Sequence, residues 1–360
     1  MNTDLADTLA RLFSAGPQSA VSEGWNGALW QQIVEIGVPL LLVAEAAGGI
    51  GGTWEDAQVV ARAVGAHAVG LPACETMLAH ALAARAGLAI ADETLGPLGL
   101  APAAVGTLEG SAATGWQFTG TLHGVPWGRH LDVIVATTVD REGQACLLML
   151  RRAEASALRE GRNPAGEPRD KLQFERAPVA AASCSLGLAR QLAYGGALLR
   201  VGQIAGALDA LLSRTVQYAR DRVQFGKPIG SFQAVQQQLA VFGAEVAAVG
   251  CAAQAAYRSA TLGEAAFEIA AAKLRANLAI DTSVAIAHQV HGAIGFTREH
   301  ELRHFTQRLL SWRSEFGNDR HWSETLGQAV IARGADAFWA ELTQRGDAAA
   351  VAHESGTATP

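Results

Sequence analysis

The chain has 360 residues, of which 49% are hydrophobic, and its formal net charge is −6 at pH 7. A chain of this length can bury a large core and is expected to form two or three domains. The acidic balance provides no basic surface for nucleic acid, so a nucleic-acid partner is not expected.

Residues 1–97 are predicted to form a helical domain. The opening segment, MNTDLADTLARLF, has the apolar spacing of an amphipathic helix, and two more helices are predicted at Ala57–Val69 and Glu75–Ala86. The opening segment lacks the basic start and the long apolar run of a signal peptide. Apolar runs such as GVPLLLV are too short to cross a bilayer. We therefore expect a soluble, cytoplasmic protein that does not bind a membrane.

Residues 98–186 are predicted to form a β domain. The helical period gives way to short alternating or apolar runs, TGWQFTGTL, LDVIVATTV and ACLLMLRR, which glycine, proline and charged turns separate. Such runs are typical of the strands of a small antiparallel sheet or barrel.

Residues 187–345 are predicted to form a helical bundle, because the helical period returns there almost without interruption. The alanine-rich surfaces of these helices allow the close packing of an antiparallel bundle. The last residues, 346–360, are predicted to be a disordered tail. The fold class is therefore α+β with several domains.

The most informative segment is YARDRVQFGKPIGSFQAVQ, at residues 218–236. Gly226 and Pro228 are expected to stop one helix, because glycine raises the entropy cost and proline cannot donate the next ladder hydrogen bond. Ser231 then offers a capping oxygen to a second helix. The segment therefore predicts a helix end, a forced turn and a new helix.

Three side chains at this break have the chemistry of a nucleotide site. Arg222, Gln224 and Phe225 are expected to project from the end of one helix beside the start of the next. A guanidinium group suits a pyrophosphate, and a helix start adds partial positive charge for anions. The alternative is a helical hairpin that a surface arginine caps.

A second segment, AHQVHGAIGFTREHELRHFTQR, begins at Ala287 and follows a long alanine-rich helix. Gln289 can both donate and accept hydrogen bonds. The small residues Gly292, Ala293 and Gly295 would allow the backbone to approach a flat ligand closely.

Together the two segments resemble the acyl-CoA dehydrogenase family, whose C-terminal domain carries an R-x-x-F-G turn and, later, Q-x-x-G-G-x-G-F. The segment AEAAGGIGGTWEDA, from Ala44, and the segment WQFTGTLHGVPWGRHLDVIVATT resemble other, less specific family passages. The resemblance implies an N-terminal helical domain, a middle antiparallel β domain and a C-terminal four-helix bundle. It also implies FAD-dependent α,β-dehydrogenation of an acyl-CoA thioester, with electrons passing to an electron-transfer flavoprotein.

The resemblance also implies a set of cofactor-binding residues, most of which would contact the adenine and pyrophosphate end of a flavin that a neighbouring subunit largely holds. Trp127 would lie beside the isoalloxazine ring, or else pack on the neighbouring domain as a strand-end tryptophan. The implied residues are Arg222, Gln224, Phe225, Phe232, Gln233, Gln289, Val290, His291, Gly292, Ala293 and Trp127.

Glu315 is the candidate catalytic base, because the family most often places a glutamate shortly after Q-x-x-G-G-x-G. Counting without gaps from Gly295, however, puts Phe316 at the usual position of the base, and Glu315 comes one residue early. The alternative is that Glu315 is a surface or capping carboxylate. Some relatives carry the glutamate on an earlier helix instead, at a position that falls near Gly196, where no acidic residue lies within one turn.

Three hypotheses follow for this short, divergent chain, which also lacks the Y-x-x-T-E-P-x-A-G-S-D passage of catalytic relatives. The first is a dehydrogenase with Glu315 as the base. The second is a non-catalytic or half-site subunit, because some bacterial relatives pair two different chains in an α2β2 assembly. The third is a flavin-free structural paralogue. In each case a dimer or tetramer is expected.

Other polar residues are expected to have no catalytic role. Lys227 and Lys273 are expected to be exposed to solvent. Five histidines lie close together in sequence without the spacing of a metal site, so no metal is expected. They are His288, His291, His300, His304 and His321.

Overall fold

The computed structural model describes residues 3–14, 24–88, 97–263, 265–334, 336–340 and 342–344. The predicted tail at residues 346–360 lies outside these ranges. In the described part, helices come first, a sheet follows and helices return. The predicted fold class, with an N-terminal helical region, a middle β region and a C-terminal bundle, is confirmed. The domain boundaries at residues 97, 186 and 345 remain a prediction.

The N-terminal helices are α1 (Thr3–Ser14), α2 (Gly27–Glu35), α3 (Trp54–Ala66) and α4 (Ala73–Arg85). All three helices that the sequence predicts in this region are present, and α3 and α4 begin three and two residues earlier than expected. Helix α3 begins early because a capping box forms at its start. The Thr53 hydroxyl accepts a hydrogen bond from the Asp56 backbone N–H, and the Asp56 carboxylate accepts one from the Thr53 backbone N–H.

The middle strands are β1 (Leu98–Leu100), β2 (Ala103–Ser111), β3 (Gly115–Pro126), β4 (Val133–Val139), β5 (Ala145–Arg151), β6 (Ala157–Arg159) and β7 (Arg169–Ser183). In the described part they form one seven-stranded sheet with the order β1-β4-β5-β7-β3-β2, and β6 pairs with β7. The pairs are antiparallel except that β1 runs parallel to β4. In sequence, the β2–β3 hairpin connects β1 to β4. It returns the chain to the edge where β1 began, so that β4 can run parallel to β1.

Both faces of β4 and β5 are buried, which explains why their sequences are continuous apolar runs. Ile134 and Leu148 face a small core that belongs to the β region. Val135 and Leu147, one residue away on each strand, face the larger core that the helices form. Successive residues of a strand point to opposite faces, so this sheet attaches directly to the helices.

The C-terminal helices are α5 (Leu186–Asp221), α6 (Gln233–Leu262), α7 (Ala266–His291), α8 (Leu302–Trp312) and α9 (Asp319–Arg333). Helix α5 runs through the centre and meets α3 at very short range. A Cβ atom built on Gly65 would lie 2.0 Å from the Gln203 carbonyl oxygen, and one built on Gly206 would lie 2.0 Å from the Arg62 carbonyl oxygen. Only glycine permits this contact between two backbones.

A short hairpin joins α5 to α6, with strands β8 (Val223–Gln224) and β9 (Lys227–Pro228). Its turn residues, Phe225 and Gly226, both have positive φ angles, 52° and 78°. The prediction that Ser231 caps α6 is wrong. A single turn of 3₁₀ helix directs the Ser231 hydroxyl back to donate to the Pro228 carbonyl at 2.7 Å, and α6 begins after Phe232 without a side-chain cap.

Two helices are long and apolar enough to cross a membrane by length and composition alone. In α5, 89% of the apolar window is buried inside the chain, as in the core helix of a globular protein. In α6 only 28% of the window is buried, so this helix presents apolar surface to the outside of the single chain. Surface of this kind is typical of a contact with another protein.

The contact between α3 and α5 predicts the effect of adding one methyl group. Gly206→Ala should lower the free energy of unfolding by about 1–3 kcal/mol, because the new methyl group meets backbone that cannot move aside cheaply. Gly327→Ala in α9 is the control, since a Cβ atom there has no neighbour within 4 Å. Urea denaturation of the two variants measures the difference. Equal stability of both variants would contradict the close contact.

Candidate functional site

The two segments that suggest a nucleotide site meet at one end of the bundle. The Tyr218 hydroxyl, near the end of α5, donates to the His291 carbonyl oxygen at 3.3 Å. The two rings also stack, with centroids 4.4 Å apart. Arg222 follows one turn after Tyr218 and ends α5, while Gln289 lies in the last turn of α7.

The residues of the α5–α6 hairpin face outward. Arg222, Gln224 and Gln233 are exposed, and Arg222 forms no ion pair with any described residue. The Phe225 side chain is 93% exposed, and its ring touches the half-buried Phe232 edge to face, at a centroid distance of 6.2 Å. A free guanidinium group beside an exposed aromatic ring suits a ligand or chain outside this molecule.

The end of α7 is divided between outer and inner residues. Gln289, Gly292 and Ala293 are exposed and line a depression of about 570 Å³. Val290 and His291 are buried, so their side chains face the bundle. The cofactor-binding role that the resemblance implies for these two residues therefore rests on backbone atoms alone.

Trp127 is buried, with 3% of its surface exposed. Its ring lies beside Trp25, with centroids 6.0 Å apart, and beside His130, with centroids 5.8 Å apart, and those two rings also stack on each other. Its backbone amide donates to the Pro168 carbonyl oxygen at 3.1 Å. This environment matches the alternative in which the tryptophan packs against the N-terminal region.

The two positions that the sequence resemblance implies for a catalytic glutamate, Phe316 and Gly196, are in contact here, and neither carries a carboxylate. A Cβ atom built on Gly196 would lie 2.3 Å from the Phe316 ring, so the ring rests directly on the α5 backbone. Phe316 has a positive φ of 54°, and its carbonyl oxygen accepts a hydrogen bond from the Trp322 indole at 3.2 Å. A hydrocarbon ring therefore occupies the point at which the resemblance implies a base.

Glu315 lies in a group of positive charges. Arg169 donates to both of its oxygens, at 2.8 and 3.0 Å, and Arg200 donates to one at 2.9 Å. Asn163 donates to the same carboxylate at 3.2 Å. Burial alone would raise the pKa of Glu315, but the guanidinium groups of Arg169 and Arg200 lower it to about 2. A carboxylate held in this way is a poor proton acceptor near neutral pH.

Glu315 is one member of a larger buried network, which we call the six-charge network. Three carboxylates, those of Glu75, Glu167 and Glu315, alternate with three guanidinium groups. Arg200 bridges Glu75 and Glu315, Arg169 bridges Glu315 and Glu167, and Arg308 pairs with Glu167 at 3.0 Å. The members come from α4, α5, the start of β7 with its preceding loop, and α8 with its following loop. The network therefore joins all three regions of the chain.

Lys273 was expected to be exposed, and this prediction is wrong. The side chain is fully buried in α7, and its ammonium group donates to the Asn277 side chain at 2.6 Å. It also donates to three carbonyl oxygens, of Trp312, Arg313 and Gly317, at 3.1–3.2 Å. Burial lowers the pKa of Lys273 to about 7, and the charge of Arg200 acts in the same direction. The lysine thus anchors the loop that carries Phe316.

The sequence contained weak signs of these groups. Glu75 and Arg200 each stand alone among apolar and small residues of a helix, where an unpaired charge would be costly. The two residues pair with each other across 125 residues of the chain, so no local pattern could identify the pair. Within the described ranges, no group of three or more histidine, cysteine or acidic side chains could hold a metal ion.

Comparison with known proteins identifies the family. Residues 186–330 match the family model described as acyl-CoA dehydrogenase, C-terminal domain. The chain is 29% identical over 325 residues to the acyl-CoA dehydrogenase IpdE2 of Mycobacterium tuberculosis, which covers 84% of this chain and 89% of that relative. Its C-terminal domain is that of an acyl-CoA dehydrogenase. The family that the two sequence segments suggested is confirmed.

Solved structures show that the acyl-CoA dehydrogenase fold extends over nearly the whole chain. A variant of the Tcur3481-Tcur3483 steroid ACAD has a TM-score of 0.83 at 22% identity and covers 93% of this chain and 98% of that chain. The ChsE4-ChsE5 complex from Mycobacterium tuberculosis has a TM-score of 0.80 at 22% identity and covers 91% and 96%. At this level of identity the likeness concerns the fold.

The six-charge network predicts a large effect from neutralising Glu315. Glu315→Gln should lower the free energy of unfolding by about 3–5 kcal/mol, because Arg169 and Arg200 lose the charge that compensates their burial. Glu324→Gln is the control, since its pair with Arg320 lies on the surface and contributes about 0.5 kcal/mol or less. Urea denaturation at pH 7 compares them. Equal stability of the two variants would contradict the network.

The depressed pKa of Glu315 predicts how the stability of the natural chain, relative to Glu315→Gln, depends on pH. The folded state depresses the pKa of Glu315 to about 2, below the value of about 4.3 in an unfolded chain. Its contribution to stability is therefore complete above pH 4.3 and is lost as the pH falls towards 2. The stability difference between the natural chain and Glu315→Gln should shrink across this window. A difference that stays constant from pH 6 to pH 2.5 would contradict the assignment.

Proposed function

We propose that this chain is the subunit without a catalytic base in a heteromeric, FAD-dependent acyl-CoA dehydrogenase. Its family catalyses α,β-dehydrogenation of acyl-CoA thioesters, and a paralogous chain would supply the carboxylate that removes the α proton. The observation that carries the proposal is the contact between Phe316 and Gly196, the two positions available to that carboxylate.

The chemistry of proton abstraction supports this division of labour. A general base must reach the α proton at hydrogen-bond distance and must have a pKa suited to accepting it. The Phe316 ring offers no proton acceptor. Glu315 is one residue away, but two guanidinium groups hold its oxygens and keep its pKa at about 2. We therefore propose that Glu315 is a structural anchor, in place of the catalytic role that the sequence first suggested.

The outward-facing residues support a flavin that lies largely on the neighbouring chain. When bound, FAD accepts the β hydrogen as hydride. Arg222 is free to pair with a pyrophosphate, and the exposed ring of Phe225 can pack against an adenine or against the chain that holds it. Gln289, Gly292 and Ala293 provide polar and small contacts at the same end of the bundle. These residues fit the adenine and pyrophosphate half of the cofactor.

Two further features support an assembly of different chains. The names of the Tcur3481-Tcur3483 and ChsE4-ChsE5 structures each pair two components. The apolar outer surface of α6 also needs a protein partner to remove it from water. We propose a soluble cytoplasmic dimer or tetramer that contains a paralogue, acts on a fatty or steroid-type acyl-CoA and passes electrons to an electron-transfer flavoprotein.

Purification of the chain alone and together with its paralogue tests the proposal. We expect a colourless, inactive chain alone, and a yellow complex that an acyl-CoA reduces when both chains are present. A yellow, active homomer would favour the self-sufficient enzyme. A colourless and inert complex would favour the flavin-free structural paralogue.

Arg222→Ala should reduce the FAD content of that complex without dissociating it. Loss of one charged pyrophosphate contact costs about 1.5–3 kcal/mol, which weakens FAD binding by roughly 10- to 100-fold. Arg220→Ala, an exposed arginine two residues earlier on α5, is the matched control. Flavin absorbance per complex after gel filtration measures the effect. Equal flavin content in both variants would remove Arg222 from the cofactor site.

A further inference from the structure

A cavity of about 650 Å³ opens at the end of the bundle where α5 begins, far along α5 from Arg222. Its walls are the start of α3, the end of α4, the first turns of α5, the end of α6 and the start of α7. A smaller compartment of about 220 Å³ adjoins it and shares five of its residues. The shared residues are Trp54, Arg85, Gln191, Ala260 and Thr261. Cavities of roughly 300–1,000 Å³ are typical of sites for small organic ligands.

The inner walls of this cavity are apolar. Trp54 and Ile269 line the larger compartment, and Leu78 and Leu82 line the smaller one. Ala260 borders both compartments and leaves room between them. These surfaces favour an extended or fused-ring hydrocarbon group, which would lose water on entering.

Two arginines line the mouth of the cavity. Arg85 and Arg190 both line it, and the Arg85 guanidinium donates to the Gln191 side chain at 2.6 Å. Neither arginine forms an ion pair within the described ranges. Gly187, in the first turn of α5, adds the positive end of a long helix, which the carboxyl end of α6 at Gly263 partly offsets.

From these features we propose that the cavity binds an amphipathic anion, with an apolar group inside and a carboxylate or phosphate between Arg85 and Arg190. The apolar lining selects the body of the ligand, and the two guanidinium groups select its charged end. Binding here does not depend on the paralogue or on FAD, so it can be tested whether or not the proposed function holds.

The cavity is separate from the contact between Phe316 and Gly196. The α5 residues that line it, at positions 187, 190, 191, 194 and 195, recur with the spacing of one helix face. Gly196 lies about 100° further round the helix, under the Phe316 ring. Tyr194, one of the lining residues, packs its ring against Trp322 at a centroid distance of 5.2 Å. A ligand in the cavity is therefore held without being placed for proton abstraction, as a bound effector would be.

Calorimetric titration of the purified chain with decanoate, coenzyme A and decanoyl-CoA tests the proposal. We expect saturable binding of decanoate, decanoyl-CoA or both, and much weaker binding of coenzyme A. Binding of decanoate identifies a carboxylate as the anion, whereas binding of decanoyl-CoA alone identifies the phosphates. If none of the three binds, or if coenzyme A binds as tightly as decanoyl-CoA, the proposal is overturned.

Two variants locate the ligand. Arg190→Gln should weaken binding about tenfold, and Arg220→Gln, at the other end of α5, should leave it unchanged. Ala260→Trp should abolish binding by filling the apolar compartments, and its melting curve and circular dichroism show whether it folds. Because Arg190 is exposed, its replacement decides the question even where Ala260→Trp fails to fold. Unchanged affinity in Arg190→Gln would overturn the proposal.

Discussion

The six-charge network is the interaction on which the arrangement of the whole chain depends. Arg200 on the central helix pairs with Glu75 from the N-terminal helices and with Glu315 from the loop after α8, and Arg169 brings in the β region. Burying these charges is costly unless each has its partner, so the network gives little net stability but penalises any other packing of the three regions. Its charges balance, with three acidic and three basic groups.

The network also determines what the neighbouring loop can do chemically. Because Arg169 and Arg200 hold Glu315, and Lys273 binds three carbonyl oxygens around it, the next residue, Phe316, turns onto Gly196. The Phe316 ring then fills the point where, in our proposal, a self-sufficient dehydrogenase would place its carboxylate. The outward-facing residues at the far end of the bundle, such as Arg222, Phe225 and Gln289, need no such carboxylate. In our proposal they contact a flavin that the neighbouring chain largely holds. One chain can therefore lose its base and keep half of a cofactor site.

The sequence predicted the fold and the hairpin between α5 and α6 because both depend on local patterns, namely apolar periodicity and the glycine and proline of the turn. It wrongly predicted that Lys273 is exposed to solvent. It also could not show that arginines hold Glu315. In both cases the partners lie far away in sequence. Ser231 failed as a cap because one extra 3₁₀ turn redirected its hydroxyl. From the sequence, Phe316 and Gly196 were two separate positions for a base, and Glu315 beside the first remained the candidate. Only the folded chain shows that Phe316 and Gly196 touch.

The most direct test is to measure exchange of the acyl-CoA α proton with deuterium in heavy water, with FAD present and without an electron acceptor. This exchange requires only the base that removes the α proton. It does not require hydride transfer to FAD or an electron acceptor. The account predicts no exchange above the buffer rate with this chain alone, and rapid exchange of the same acyl-CoA once the paralogue is added. Exchange by this chain alone, lost in Glu315→Gln while the protein remains folded, would contradict the account.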